Sequence, residues 1–204
     1  MKKWTIITIF LCLGILSCEK SGSYCVKIIE NSSKTTTLSK SEMEVVKNLF
    51  NRNQLDYTKY QFTKIKKDEL GYCHIWCYQF ANNLMIFTGD VVFHFDKYDM
   101  YNFLSGDLIS SIDLDTKFSM KKNNVVKKFI DRIEQDDSNK GNRKKTNGCF
   151  DVEYGYYDLN AGKGYADKKF TKAWKITSRK EKYPFAYIND ENSEIIYYDN
   201  GIRY

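Results

Sequence analysis

The residues of this chain that could do chemistry are two histidines and several cysteines. His74 follows Cys73 directly, which could suit a thiol nucleophile or a metal site, and His94 stands two residues before Asp96. A strand would place Cys73 and His74 on opposite faces, whereas a nucleophile and its base must lie within hydrogen-bond distance. Metal binding by His94 and Asp96 would need further ligands that the sequence does not place. We therefore expect no catalytic residue, no metal site and no cofactor.

Neither histidine belongs to a zinc peptidase motif. The motif H-E-x-x-H needs two histidines on one helical face with a glutamate after the first. His74 is followed by Ile75 and His94 by Phe95. An enzyme that uses Cys73 or His94 is therefore kept only as a third hypothesis, behind two kinds of binding protein.

The amino terminus has the pattern of an export signal. Lys2 and Lys3 precede a short apolar run that ends at Ser17, and a basic segment followed by such a run is typical of signal peptides. The stretch 15–18, Ile-Leu-Ser-Cys, resembles a bacterial lipobox, in which Cys18 becomes the first residue of the mature protein and carries the lipid. We expect a signal peptide over 1–17 and a lipoprotein of the bacterial cell envelope, held to the membrane by that lipid. The alternative is an ordinary secreted protein cleaved nearby.

Four cysteines follow Cys18, and an even number in an oxidising compartment suggests two disulfides. Residues 72–80 are rich in aromatic residues and are predicted to form a strand, with Cys73 and Cys77 on one face. At about 3.3 Å per residue these two lie ~13 Å apart, beyond the ~7 Å that a disulfide allows between Cα atoms. We therefore predict that each bonds to Cys25 or Cys149, in one of two arrangements.

The composition argues against a nucleic-acid partner. The net charge is +6, but lysine and arginine are mixed with acidic residues except in the segment 140–145. A lysine-rich polar segment is most often a solvated loop, and an exported protein meets few nucleic acids. We expect no nucleic acid among the partners.

The hydrophobic pattern predicts an α+β protein with the order helix, meander, helix, meander. Ser39 and Glu42 form a capping box before a helix, and segments near 57–65, 72–80, 84–95 and 100–109 have the period of strands. A second helix is predicted to open at Ser119, and strands resume after the polar segment 134–148, which we expect to be mobile. Two units, each with a helix packed on an antiparallel sheet, would bury both helices.

Two segments resemble the pro-regions of thermolysin-like metallopeptidases. Residues in the first meander fit the fungalysin/thermolysin propeptide (FTP) motif, and a later stretch, 173–176, fits the Ala-Trp-Lys-hydrophobic strand of the PepSY domain. The residues that match the first motif are Gln79, Phe87, Gly89, His94, Asp96 and Gly106. The pattern departs from both at Asp99, Asn189 and Ser193, where turns are expected.

The resemblance implies two cystatin-like units that bind and inhibit a peptidase. The chain then divides into a lipidated cysteine and tether over 18–38, an FTP-like unit over 39–115 and a PepSY-like unit over 116–204. An alternative left open by the sequence is that Cys25 and the residues 26–29 already belong to the fold. The chain would then be a non-enzymatic lipoprotein that binds, and inhibits or regulates, an exported peptidase.

The alternative is a cell-surface binding module for a peptide, glycan or other ligand. Aromatic residues make up 16% of the chain, and tyrosines are concentrated in two short segments near its carboxyl end. Tyrosine supplies large amphipathic contacts at small entropic cost. The predicted binding face consists of Tyr156, Tyr157, Tyr197 and Tyr198.

Overall fold

A computed structural model describes residues 24–31, 35–136, 148–164, 167–179 and 182–202. The predicted signal peptide, the lipidation site Cys18 and most of the polar segment 134–148 lie outside these ranges. No helix in the described residues is long and apolar enough to cross a membrane.

Two α-helices, a short 3-10 helix (Tyr57–Lys59) and nine strands make up the regular structure of the described residues, and the α+β class is confirmed. The α-helices are α1 (Lys40–Arg52) and α2 (Lys122–Gln135). The strands are β1 (Cys25–Ile28), β2 (Tyr60–Lys67), β3 (Cys73–Ala81), β4 (Leu84–Phe95), β5 (Tyr101–Ser105), β6 (Cys149–Asp158), β7 (Phe170–Ser178), β8 (Phe185–Asn189) and β9 (Ile195–Asp199).

Helix α1 begins with the predicted capping box. The backbone N–H of Glu42 donates to Ser39 Oγ over 3.2 Å, and the N–H of Ser39 donates to the Glu42 carboxylate over 2.8 Å. These bonds satisfy amide groups that the first helical turn leaves without partners. The apolar side of α1 packs through Val46, Leu49 and Phe50 on β2, β3 and β4 and closes a first core.

Helix α2 closes a second core but begins later than predicted. It starts at Lys122, after Lys121 in the N-cap position, and packs on β6, β7 and β8 through residues that include Phe129 and Ile133. The predicted first residue, Ser119, instead donates its backbone N–H to the carboxylate of Asp190 over 2.7 Å. Asp190 lies directly after β8, so a contact across the fold prevents Ser119 from opening the helix.

The two predicted antiparallel meanders belong to a single nine-stranded sheet. Strand β4 of the first meander pairs in parallel with β6 of the second, where Met85 lies opposite Gly155. A Cβ atom on Gly155 would lie 2.3 Å from the carbonyl oxygen of Met85, so the close approach of the strands requires glycine. The domain boundary predicted at 115/116 falls between β5 and α2, in the connection between the two halves.

Part of the predicted tether belongs to this sheet. Strand β1 lies within the range 18–38 and pairs in parallel with the start of β6, with Val26 opposite Phe150. Residues 25–28 of this range therefore form a strand of the sheet, which is the alternative that the sequence left open. The local sequence does not identify the partner strand, since the pairing joins residues far apart in the chain.

Both helices cover the same face of the sheet. In β3, Cys77 faces α1, whereas its neighbour Tyr78 faces the opposite side and packs with Phe87. In β8, Ile188 faces α2, whereas Tyr187 packs with the same group as Phe87. We call the side of the sheet away from the helices the outer face.

Candidate functional site

The cysteines of β3 alternate as predicted but do not meet the partners predicted for them. Cys73 is 6% exposed and Cys77 is 1% exposed, and both are enclosed by the first core. Burial raises the pKa of both thiols above the ordinary cysteine value. Cys25 and Cys149 instead lie opposite each other in β1 and β6, in the second half. The predicted pairing of Cys73 and Cys77 with Cys25 and Cys149 is not formed in this structure, because β1 places Cys25 beside Cys149.

The two histidines form a chain of hydrogen bonds that the sequence analysis missed. His74 and His94 are opposite residues of β3 and β4, and their Nδ1 atoms lie 2.7 Å apart. Nε2 of His74 lies 3.3 Å from the Asp68 carboxylate, and Nε2 of His94 lies 2.9 Å from Ser105 Oγ. The predicted strand alternation does place both rings away from the Cys73 thiol. Their meeting depends on the β3–β4 register, which the spacing of the residues alone does not fix.

Asp96, which the sequence places on the same strand face as His94, has a structural role in the turn that follows. The Asp96 carboxylate accepts the backbone N–H groups of Tyr98 and Met100, at 2.8 and 2.9 Å, and so closes the turn between β4 and β5. Within the part of the chain that the structure describes, no group of three or more metal-binding side chains is found.

The histidine chain predicts a pH dependence of stability. Desolvation, followed by the nearby His74, lowers the pKa of His94 in the fold. A lowered histidine pKa means that the unfolded chain binds more protons, so this stabilisation is complete above about pH 6.5 and is lost as the pH falls through the folded pKa. We expect the free energy of unfolding, measured by urea titration, to fall over that range and to fall less steeply in His94→Gln. An unchanged slope in the variant would contradict this role.

The groups that face His94 are His74 on β3 and Ser105 and Phe103 on β5, with Asp68 behind His74.

The predicted tyrosine face is only partly correct. Tyr156 is fully buried, and its hydroxyl donates to the carbonyl of Leu114 over 3.1 Å. Tyr198 packs against the second core and lies under the guanidinium of Arg132, 4.3 Å from the ring centroid. Both belong to the helix side of the sheet. Successive residues of a strand point to opposite faces. Tyr156 and Tyr157 therefore cannot lie on one surface, and neither can Tyr197 and Tyr198.

The outer face carries a band of aromatic rings that come from both halves of the sheet. The ring centroid of Tyr187 lies 4.9 Å from that of Tyr157 and 5.1 Å from that of Phe87. Phe185 and Tyr197 extend the band, with centroids 5.8 Å apart. We call this surface the aromatic outer face, and it consists of Tyr78, Tyr157, Phe185, Tyr187 and Tyr197, packed around the buried Phe87.

The chemistry of this face combines apolar ring surface with polar groups. Desolvation raises the pKa of the Tyr157 and Tyr187 hydroxyls, so both are neutral hydrogen-bonding groups. Tyr197 is 44% exposed. On the neighbouring strands, Lys175 Nζ lies 3.2 Å from the Glu153 carboxylate, which also accepts a hydrogen bond from Asn31. Such a surface can bind a protein or a carbohydrate, since both present apolar and hydrogen-bonding groups together.

Several residues that carry the family resemblance have structural roles. The buried amide of Gln79 donates to the carbonyls of Gly89 and Asp107, at 3.2 and 2.8 Å, and accepts the N–H of Ile109. Gly106 has a φ of +91°, a conformation that side chains disfavour. These residues hold the connection after β5 against the first meander, and the motif therefore describes a fold rather than a reactive site.

No known protein family profile matches this chain, and no curated protein matches it. Among solved structures, the chain is similar to the Bacillus megaterium YpeB C-terminal domain, with a TM-score of 0.40 and 9% sequence identity. The alignment covers 85% of this chain and 70% of that one.

Proposed function

We propose that this chain is a non-enzymatic lipoprotein of the bacterial cell envelope that binds a protein partner through its aromatic outer face. The observation that carries the proposal is the clustering of aromatic rings, from five strands, on the side of the sheet away from both helices. Tyrosine and phenylalanine are enriched at the centres of protein interfaces because they bury much apolar area at small entropic cost.

The partner class that we propose is an exported peptidase. The support is the resemblance of the two meanders to the FTP and PepSY units of peptidase pro-regions. The histidine chain of His74 and His94 lies on the first half of the same sheet and makes hydrogen bonds with Asp68 and Ser105. Under this proposal the chain binds the peptidase and lowers its activity.

A binding module for a glycan is the second candidate function. The same observation favours it, because sugars stack on aromatic rings and bond to tyrosine hydroxyls and to charged groups such as Glu153 and Lys175. The two candidates differ in the chemical class of the captured ligand.

The experiment is a capture from envelope extract with an immobilised chain that begins at residue 19, which keeps every described helix and strand. We expect a peptidase among the captured proteins and a loss of its activity when the soluble chain is added. Purified thermolysin serves as a defined probe for the same inhibition assay. Capture of glycans, with no peptidase bound and no inhibition, would reject the peptidase proposal in favour of the glycan-binding module.

A further inference from the structure

The first strand of the sheet brings two cysteines together at its starting point. Cys25 and Cys149 are opposite residues of the parallel pair β1 and β6. Neighbouring strands lie about 4.7–4.9 Å apart, within the ~4.4–6.8 Å that a disulfide requires between Cα atoms. Their side chains are already in hydrogen-bond contact. The backbone therefore needs little movement for a bond between the two sulfur atoms.

Arg179 holds the first of these cysteines in a polar contact. Its Nη1 donates to Cys25 Sγ over 3.2 Å, and its Nε donates to the Asp151 carboxylate over 3.0 Å. Its own backbone N–H donates to the carbonyl of Cys149 over 2.9 Å. The two side-chain bonds thus hold the guanidinium beside the Cys25 sulfur atom, and the backbone bond holds the segment that follows β7 against β6.

This arrangement gives the two thiols different acidities. The hydrogen bond from Cys149, aided by the charge and hydrogen bond of Arg179, lowers the pKa of Cys25. The hydrogen bond with Cys25, followed by desolvation, raises the pKa of Cys149. An exposed thiol with a lowered pKa, next to one with a raised pKa, suits a disulfide that is formed and opened by exchange.

We propose that Cys25 and Cys149 are a redox-active dithiol, which a low-molecular-weight disulfide or a disulfide-bearing oxidoreductase converts to a disulfide between β1 and β6. The Cys25 thiolate attacks one sulfur of the oxidant, forming a mixed disulfide and releasing one thiolate of the oxidant. Cys149 then loses its proton and attacks Cys25 Sγ, and the second thiolate of the oxidant leaves. Two electrons pass from the protein to the oxidant, and the two protons of the dithiol complete the two released thiols.

The disulfide would fasten the amino-terminal strand to the sheet. Strand β1 has only four residues, pairs with β6 alone in the described residues, and is largely exposed. Among the described strands, β1 follows Cys18, the predicted lipid anchor, most closely in sequence. Oxidation thus adds a covalent link to a short ladder of hydrogen bonds. The inference goes beyond the proposed function and does not depend on the identity of the partner.

The test exposes the full-length chain, purified in detergent, to mixtures of reduced and oxidised glutathione and maps the resulting bonds by mass spectrometry of peptides. We expect a Cys25–Cys149 disulfide, with Cys73 and Cys77 unmodified until the protein is denatured, because burial protects them. Absence of the Cys25–Cys149 peptide under oxidising conditions, or bridges from Cys25 to Cys73 or Cys77, would overturn the proposal.

Three variants separate the roles of Cys149 and Arg179. Cys149→Ser is expected to stop at a mixed disulfide between Cys25 and glutathione, since the attacking second thiol is missing. Arg179→Gln is expected to slow alkylation of Cys25 by iodoacetamide several-fold at neutral pH, and Arg179→Lys to restore part of the rate through its charge. Equal alkylation rates in the wild type, Arg179→Gln and Arg179→Lys, each shown to be folded by circular dichroism, would refute the role of Arg179.

Discussion

Replacement of Phe50 by alanine is expected to lower the free energy of unfolding by about 3–5 kcal/mol. The side chain is fully buried in the first core, and its ring centroid lies 4.8 Å from that of Phe93 and 5.2 Å from that of Phe62. Removal of the ring leaves a cavity between α1 and the sheet and ends these aromatic contacts.

The matched control for Phe50 is Val45→Ala. Val45 lies on the same helix but is 47% exposed, and surface substitutions change stability by about 0.5 kcal/mol or less. Urea titration followed by circular dichroism measures both variants. A loss below about 1 kcal/mol for Phe50→Ala would show that α1 does not depend on this ring, contrary to the packing of the first core.

Replacement of Asp190 by alanine is expected to lower the free energy of unfolding by about 3 kcal/mol, the scale for losing several charge-assisted hydrogen bonds at a buried site. Asp190 is 2% exposed and accepts the backbone N–H groups of Ser119 and Met120, at 2.7 and 2.9 Å. It also accepts the indole N–H of Trp174 over 2.7 Å. Alanine leaves these donors without an acceptor inside the second half.

The carboxylate of Asp190 also predicts a pH dependence of stability. Desolvation raises its pKa, but the hydrogen bonds from Ser119, Met120 and Trp174 outweigh it, and the net pKa is lowered. A lowered pKa stabilises the fold above the unfolded value of about 3.9, and this stability is lost as the pH falls through the folded pKa. Glu191→Ala, at the exposed neighbouring position, serves as the control. Equal urea midpoints for Asp190→Ala and this control would contradict the role of Asp190.

Much of the fold follows from local sequence patterns. The capping box of Ser39 and Glu42, the alternation in β3 and the strand segments of both meanders are all observed. These features depend on residues close together in the chain, where periodicity and capping chemistry act directly.

The connections between the halves could not be predicted in this way. The parallel pairing of β4 with β6 and the addition of β1 join residues far apart in sequence. Gly155, which lies against the Met85 carbonyl, has no local pattern that distinguishes it from a turn glycine. Ser119 likewise reads as a helix start, because its partner Asp190 is 71 residues away.

The sequence predicts a tyrosine-rich binding surface but does not identify all of the residues that form it. Tyr157 and Tyr197 were assigned correctly to a surface of tyrosines, whereas Tyr156 and Tyr198 lie on the helix side. Strand alternation could have separated each pair, and the alternation of Phe185 and Tyr187 with buried residues in β8 could have added both to the face. Phe87, from the first meander, joins the band only through the β4–β6 pairing.

The most direct test of the central claim is the capture experiment repeated with Tyr157→Ala/Tyr197→Ala and with Tyr98→Ala. Tyr98 is 66% exposed in the turn between β4 and β5, outside the aromatic outer face, and is a control of the same residue type. Loss of two contacts at the centre of an interface typically costs 2 kcal/mol or more, roughly a 30-fold loss of affinity. The account predicts that the double variant, folded by circular dichroism, loses the captured partner while Tyr98→Ala retains it. Equal capture by the wild type and both variants would contradict the assignment of the aromatic outer face as the binding surface.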